Sequence, residues 1–350
     1  MTGSGWGSLS ITTKPKNGAN IVLNGRDLDQ KTPYSNDMIP VGKYEIILSM
    51  DGYKTTTKTV DIKDGDNVVV KIEMTSNNYK TQEEGTINGV FSVSPNQKVK
   101  FSKGNLQYQA STNTWRFAEH QWDYVGTTEV YQGETGGTVP GSSNHYISSS
   151  YSGWIDLFGW GTSGYKGKKP YMTSSISNDY GDGNNNISGT NYDWGVYNDI
   201  SNGHEKSWRT MTKDEWIYLF NTRSTKSGVR YAKAILNDVN GIILFPDNWD
   251  VDNYKVNKAN MSESCFTSNH ISQFDWENLF ENKGAVFLPV AGFRFEDMVD
   301  SIESQGIYWT ATSGNNNDAY LIGFMDAGIN TSFSDRRDVG HSVRLVCDIE

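Results

Sequence analysis

Apolar and polar positions alternate with a period of two along much of this chain, the pattern of strands that bury one face. Near the start the alternation predicts strands over 8–13, 19–23, 42–50, 55–62 and 67–74. Ile46, Leu48 and Met50 share one face of their strand, and Val68, Val70 and Ile72 share one face of theirs. Asn24-Gly25, Asp51-Gly52 and Asp64-Gly65 are turn dipeptides, since Gly and Asn tolerate the left-handed backbone that tight hairpins need. Residues 1–75 therefore read as a small antiparallel β-sandwich. The alternation then fails over 76–87, a polar stretch read as a linker.

From residue 88 the pattern is mixed. Short strands are predicted over 99–101, 106–110 and 114–118, the last two joined as a hairpin. Others follow over 229–236 and 242–245, then a strand pair over 285–290 and 293–295. One helix start is well marked. Thr212 and Glu215 make a capping box, and Trp216, Leu219, Phe220 and Arg223 follow on one helical face. A second helix is predicted over 272–282. Residues 126–205 are rich in Gly, Ser and Asn, with large anchors such as Trp154, Phe158, Trp160, Trp194 and Tyr197 that can pin a long loop to a scaffold. The expected fold is thus two domains, an all-β small sandwich followed by an α+β domain with long loops over 88–350.

The last forty residues combine both kinds of pattern. Strands are predicted over 307–311, 319–324 and 342–347, and the intervals between them are polar and amide-rich. Rigid strands holding polar loops are a common way to build a binding surface. Tyr and Asn mixed with Ser and Gly give large contacts at low entropic cost together with adaptable hydrogen bonds. The candidate contact residues are Ser313, Asn315, Asn316, Asn317, Met325, Asp326, Asn330, Ser332, Phe333, Asp335, Arg337, Asp338 and His341. Met325 and Phe333 stand out, because apolar side chains flanked by polar ones mark contacts. His341 is expected at the rim of this surface.

Charge narrows the partner. Residues 1–75 hold 9 Lys+Arg and 9 Asp+Glu, so the whole net charge of −10 lies in the remainder. An acidic domain repels phosphate backbones, which argues against nucleic acid. No run approaches the ~18 apolar residues of a membrane span. The opening MTGSGWGS lacks the basic and apolar regions of a secretory signal. The two cysteines, Cys265 and Cys347, lack metal spacing. Val343, Leu345 and Cys347 alternate onto one face, so Cys347 reads as a buried free thiol, with a bridge to Cys265 as the alternative.

Catalytic motifs are absent from the sequence. None of the five histidines stands in a HExxH spacing, and there is no G-x-S-x-G elbow or Walker loop. The run from Asp179 to Asn186 could offer oxygens to calcium, although its spacing is not that of an EF-hand, and a solvated turn is the plainer reading. No cofactor is otherwise expected.

Two resemblances give these readings a context. Pro15-Lys16-Asn17-Gly18-Ala19, Ile21-Val22-Leu23-Asn24-Gly25, Thr32-Pro33, Val41-Gly42-Lys43-Tyr44 and Asp51-Gly52-Tyr53 resemble the PEGA domain, an accessory module of bacterial surface and envelope proteins. That implies a spacer or docking module. Further on, Trp208-Arg209-Thr210-Met211-Thr212-Lys213-Asp214-Glu215-Trp216 and Gly340-His341-Ser342-Val343-Arg344-Leu345-Val346 resemble the sulfatase-modifying, formylglycine-generating family of the C-type-lectin-like superfold. The segments 100–108, 155–161, 284–289 and Tyr308-Trp309-Thr310 resemble lectin-fold domains of Bacteroidetes surface proteins. Some of those are variable proteins diversified by retroelements between a Tyr-Trp-(Ser/Thr) strand and a Ser-Val-Arg-Leu-Val strand.

The resemblance implies a C-type-lectin-like domain that binds a protein or glycan on another cell or phage surface. It places the chain at the cell surface, with a signal or lipoprotein anchor outside the stretch given. The enzyme family's cysteines have no counterpart in 313–328, and the Glu-Pro-Asn, Gln-Pro-Asp and Trp-Asn-Asp tripeptides of calcium-dependent lectins are missing. The expectation is a non-enzymatic adhesion or ligand-binding protein. The alternatives are a fimbrial or envelope subunit, or a degenerate enzyme of the formylglycine-generating type.

Overall fold

The computed structural model describes residues 5–14, 16–50, 53, 55–74, 85–126, 137–139, 141–145, 148–200, 208–250, 254–315 and 317–349. The chain is mostly β-sheet and divides into two compact units, Met1–Thr81 and Gln82–Glu350. The Asp51-Gly52 turn, most of the linker and His204 lie outside the described residues.

The first unit is a sandwich of two sheets. One orders Tyr34–Pro40, Trp6–Lys14 and Asn67–Glu73; the other orders Arg26–Lys31, Asn20–Leu23, Gly42–Ser49 and Thr56–Ile62. Leu9, Ile11, Ile21, Ile46, Leu48, Val70 and Ile72 fill the space between, on the faces the alternation assigns to the core. Two corrections apply. The sandwich is not wholly antiparallel, since Trp6–Lys14 pairs in parallel with Asn67–Glu73. Two strands, Arg26–Lys31 and Tyr34–Pro40, were absent from the sequence-based expectation. Both are edge strands, where charges, Pro and solvent exposure are tolerated because only one side must pair. The Thr32 hydroxyl accepts from the Gly18 and Ala19 amides, each at 3.1 Å, and lies 2.7 Å from that of Thr13. This fixes the Gly18-Ala19 end of the Pro-x-x-Gly-Ala motif.

The second unit is built from small sheets around three apolar clusters. A four-stranded sheet orders Arg209–Thr210, Leu345–Asp348, Gln97–Phe101 and Phe91–Ser94. Another orders His270–Ile271, Tyr231–Leu236, Val239–Leu244 and Val286–Pro289. The strand pair expected over 285–295 is therefore split: Val286–Pro289 joins Val239–Leu244, and Phe293–Phe295 pairs with Met298–Asp300. The capping box is present, with the Thr212 amide donating to Glu215 Oε2 at 2.7 Å. The helix Lys213–Ile217 widens into a π-helical turn over Tyr218–Thr222.

The sheet that matters most here orders Gly306–Ser313, Asp318–Met325 and Gly328–Arg336, all antiparallel. Its last strand replaces an expected polar loop. Gly, Asn, Ser and Asp have low strand propensity, but this is an edge strand and needs one partner only. Tyr308, Ile322 and Phe324 enter one core cluster, while Trp309, Ala311, Ala319 and Leu321 enter another. The long loop anchors this sheet. Trp160 Nε1 donates to the Thr310 carbonyl at 2.8 Å, and Trp309 Nε1 donates to that of Phe158 at 2.7 Å.

Candidate functional site

The expected contact residues do not form one patch. Asn315 and Asn317 are exposed in the turn between the first two strands of the sheet, and Met325 and Asp326 are exposed at the far end of the middle strand. Asp318 to Met325 spans seven steps of about 3.3 Å, which separates the two turns by roughly 23 Å. Asn316 lies outside the described residues. Ser313 is half-buried, its amide donating to Asn186 Oδ1 at 2.8 Å.

Three expected contact residues are corrected. Arg337 is fully buried: its guanidinium stacks 4.6 Å from the Trp160 ring centroid and donates to Ser313 Oγ (2.7 Å), the Asp318 carbonyl (3.2 Å) and the Gly183 carbonyl. Asp338 is buried and accepts from Ser177 Oγ at 2.7 Å and from the Arg336 guanidinium at 2.6 and 3.0 Å. His341, expected at the rim, is enclosed beside Trp309, with Nε2 3.1 Å from Asp335 Oδ2. Burial pushes the His341 pKa below its ordinary value against the pull of Asp335. Burial also raises that of Asp335, but hydrogen bonds from His341 and the Arg336 amide hold it below the usual carboxylate value. These side chains brace the hairpin from inside. A polar residue type says nothing about burial when its partners are distant in sequence.

The run considered for calcium braces the same sheet. Asn186 and Gly183 make the contacts to Ser313 and Arg337 just described, and Ser174 Oγ donates to the Asp179 carboxylate. Among the described residues no group of three or more His, Cys, Asp or Glu converges as a metal site. The two cysteines are not bridged: Cys265 is exposed, and Cys347 is half-buried with its Sγ 3.8 Å from the Lys100 carbonyl.

What the hairpin does offer is a groove of about 310 Å³ at its Met325 end, lined by Ile307, Leu321, Gly323, Phe324, Met325, Ile329, Asn330 and Phe333 among others. Its geometry follows from a register shift: Leu321 faces Phe333, but Gly323 faces Asn330. The extra residue in the edge strand is a bulge, which re-aims side chains. Ser332 and Phe333 are consequently both exposed, Phe333 by 50%. Gly323 supplies the depth, since a Cβ there would meet nothing closer than Leu321 Cδ1 at 4.0 Å. Met325, 40% exposed, stands at the groove's end. A Gly inside a strand-like run is a sequence signal for such a recess.

A second determinant carried no sequence signal. The Lys233 side chain is fully buried, and its ammonium donates to the carbonyls of Ser262 (2.7 Å), Ser264 (2.8 Å), Asp326 (3.3 Å) and Met325. Burial lowers its pKa, opposed by nearby Asp326 and Cys265. The turn is held further by Asp326 Oδ1, which accepts from the Phe266 amide at 2.8 Å, and by Ser262 Oγ, which accepts from that of Ile329 at 2.8 Å. The apolar end of the hairpin is thus presented on a fixed base.

Comparison with known proteins gives one family. The model of the PEGA domain matches residues 6–78, the stretch that forms the first sandwich. No curated protein matches the chain.

Proposed function

We propose that the chain is a non-enzymatic surface protein whose second unit, C-type-lectin-like in kind, binds a macromolecule through the Met325 end of its hairpin sheet. The PEGA-like unit serves as spacer or docking module. The observation that carries the reading is the groove over Gly323, flanked by exposed Met325 and Phe333 on a turn fixed from beneath by Lys233. Large apolar side chains left in solvent beside a recess are costly unless something covers them. The titratable groups around the hairpin, Asp335, Arg337, Asp338 and His341, have structural partners, which suits binding better than proton transfer.

The division inside 312–341 also suits a surface diversified by a retroelement. Asn315, Asn317, Asn330, Ser332 and Phe333 are exposed and can vary at little cost to the core, while Arg337, Asp338 and His341 hold the scaffold. Sequencing the locus in sister isolates tests this. Differences should concentrate at the exposed positions, and an even spread along 88–350 contradicts it. For binding itself, the chain and a variant with Met325, Asn330 and Phe333, all at the groove, replaced by Ala are screened against surface proteins and glycans. The expected result is loss of the wild-type signals, and identical profiles count against the reading.

A further inference from the structure

The groove does not stop at Met325. A second recess of about 310 Å³ opens beyond it, lined by Asn240, Phe266, Glu303, Ser304 and Asp326, and it shares Gln305, Met325 and Ala327 with the first. The two sections differ in chemistry. The one over Gly323 is walled by aliphatic and aromatic carbon; the other carries two carboxylates. Neither lining includes Lys or Arg among the described residues. Lys233, which reaches the Met325 and Asp326 carbonyls beneath the groove, is enclosed and donates to four carbonyls. Each carboxylate is held in place: Glu303 Oε1 accepts from the Tyr124 hydroxyl at 3.2 Å, and Asp326 Oδ1 from the Phe266 amide at 2.8 Å. The second unit also carries all of the chain's net negative charge.

An occupant must therefore bring apolar bulk and positive charge close together. A glycan brings hydroxyls, and the section over Gly323 has little to bond them. A polypeptide supplies both needs with neighbouring side chains, and a cleft of about 300 Å³ is large enough to receive part of one. Building on the binding-face reading, we infer that the groove takes a segment of a partner protein in which an apolar side chain seats over Gly323 and an adjoining Lys or Arg meets Glu303 and Asp326. The apolar anchor supplies affinity, and the charge pair sets orientation and encounter rate.

The probes are short synthetic peptides with a Phe or Leu flanked by Lys, the same peptides with Glu for Lys, and the same with Ser for the apolar residue, alongside a glycan panel. Binding to the full chain is measured by calorimetry. The Lys-flanked apolar peptide is expected to bind about tenfold or more tightly than the other two, a difference of about 1.4 kcal/mol, and to weaken as salt rises. Gly323→Val puts a branched side chain into the recess, where its Cβ meets nothing closer than 4.0 Å, and should reduce that affinity about tenfold. Glu303→Gln with Asp326→Asn keeps the acceptors for Tyr124 and Phe266, and should erase the preference for Lys over Glu while keeping the need for an apolar residue. Equal binding of Lys and Glu peptides, indifference to Gly323→Val, or no peptide binding overturns the inference. A glycan whose binding is lost in Phe333→Ser overturns the occupant and leaves the binding face standing. Probes bound equally by wild type and Phe333→Ser overturn both.

Discussion

Replacing Lys233 with Met removes the ammonium beneath the hairpin turn while keeping most of the side chain's bulk. Four backbone carbonyls, those of Ser262, Ser264, Met325 and Asp326, lose their shared donor. A hydrogen bond from a charged group contributes about 1.5–3 kcal/mol, and an orphaned buried acceptor costs about 1–3 kcal/mol. Burying the ammonium already costs several kcal/mol, which offsets part of that sum. The net expectation is a loss of about 3 kcal/mol, or roughly 6–12 °C in the melting temperature of a unit this size. The loss should be local in character. Hydrogen exchange of the amides at 326–330 should accelerate more than that of the Tyr231–Leu236 strand, because the turn loses its base while the strand keeps its ladder. Calorimetry with exchange mass spectrometry reads both. A Lys233→Met chain as stable as wild type, with unchanged protection at 326–330, would refute the assignment.

Two further perturbations separate scaffold from surface. Arg337→Met leaves the Gly183 and Asp318 carbonyls without their guanidinium donor and should cost about 3 kcal/mol, read as lowered melting temperature; an unchanged value would return Arg337 to the list of surface contacts. Burial pushes the carboxyls of Asp156 and Asp193 up to about 6 from 3.8. The native chain then holds more protons than the unfolded chain between those values, so stability falls as pH rises through that window, by about 3 kcal/mol per group. Asp156→Asn should flatten the fall in melting temperature between pH 4 and 7, and an undiminished slope would show that Asp156 does not contribute to it.

Core strands were legible because burial of one face imposes alternation, as at Ile46 and Leu48 or Trp309 and Ala311. The capping box at Thr212 and Glu215 was legible because its partners are three residues apart. Edge strands were not. Arg26–Lys31, Tyr34–Pro40 and Gly328–Arg336 lie at sheet margins, where a polar sequence carries no penalty and so no signal. The site was misread for a related reason. Arg337, Asp338, His341 and Lys233 are buried because Gly183, Ser177, Asp335 and Ser262 meet them, and those pairings exist only once the chain has folded. Composition marked Met325 and Phe333 as apolar residues in a polar setting, and both are exposed in the structure. The groove between them needed the register shift that sets Gly323 against Asn330.

The central claim is that this face, and not exposed apolar surface in general, carries binding. Its most direct test probes one array of surface proteins and glycans with the wild-type chain, with Met325→Ser/Phe333→Ser, and with Ile176→Ser/Met298→Ser, a control pair that is also exposed. All three chains should melt at nearly the same temperature, and only the Met325/Phe333 variant should lose the wild-type signals. Signals that survive in that variant, or vanish only in the control, would contradict the account.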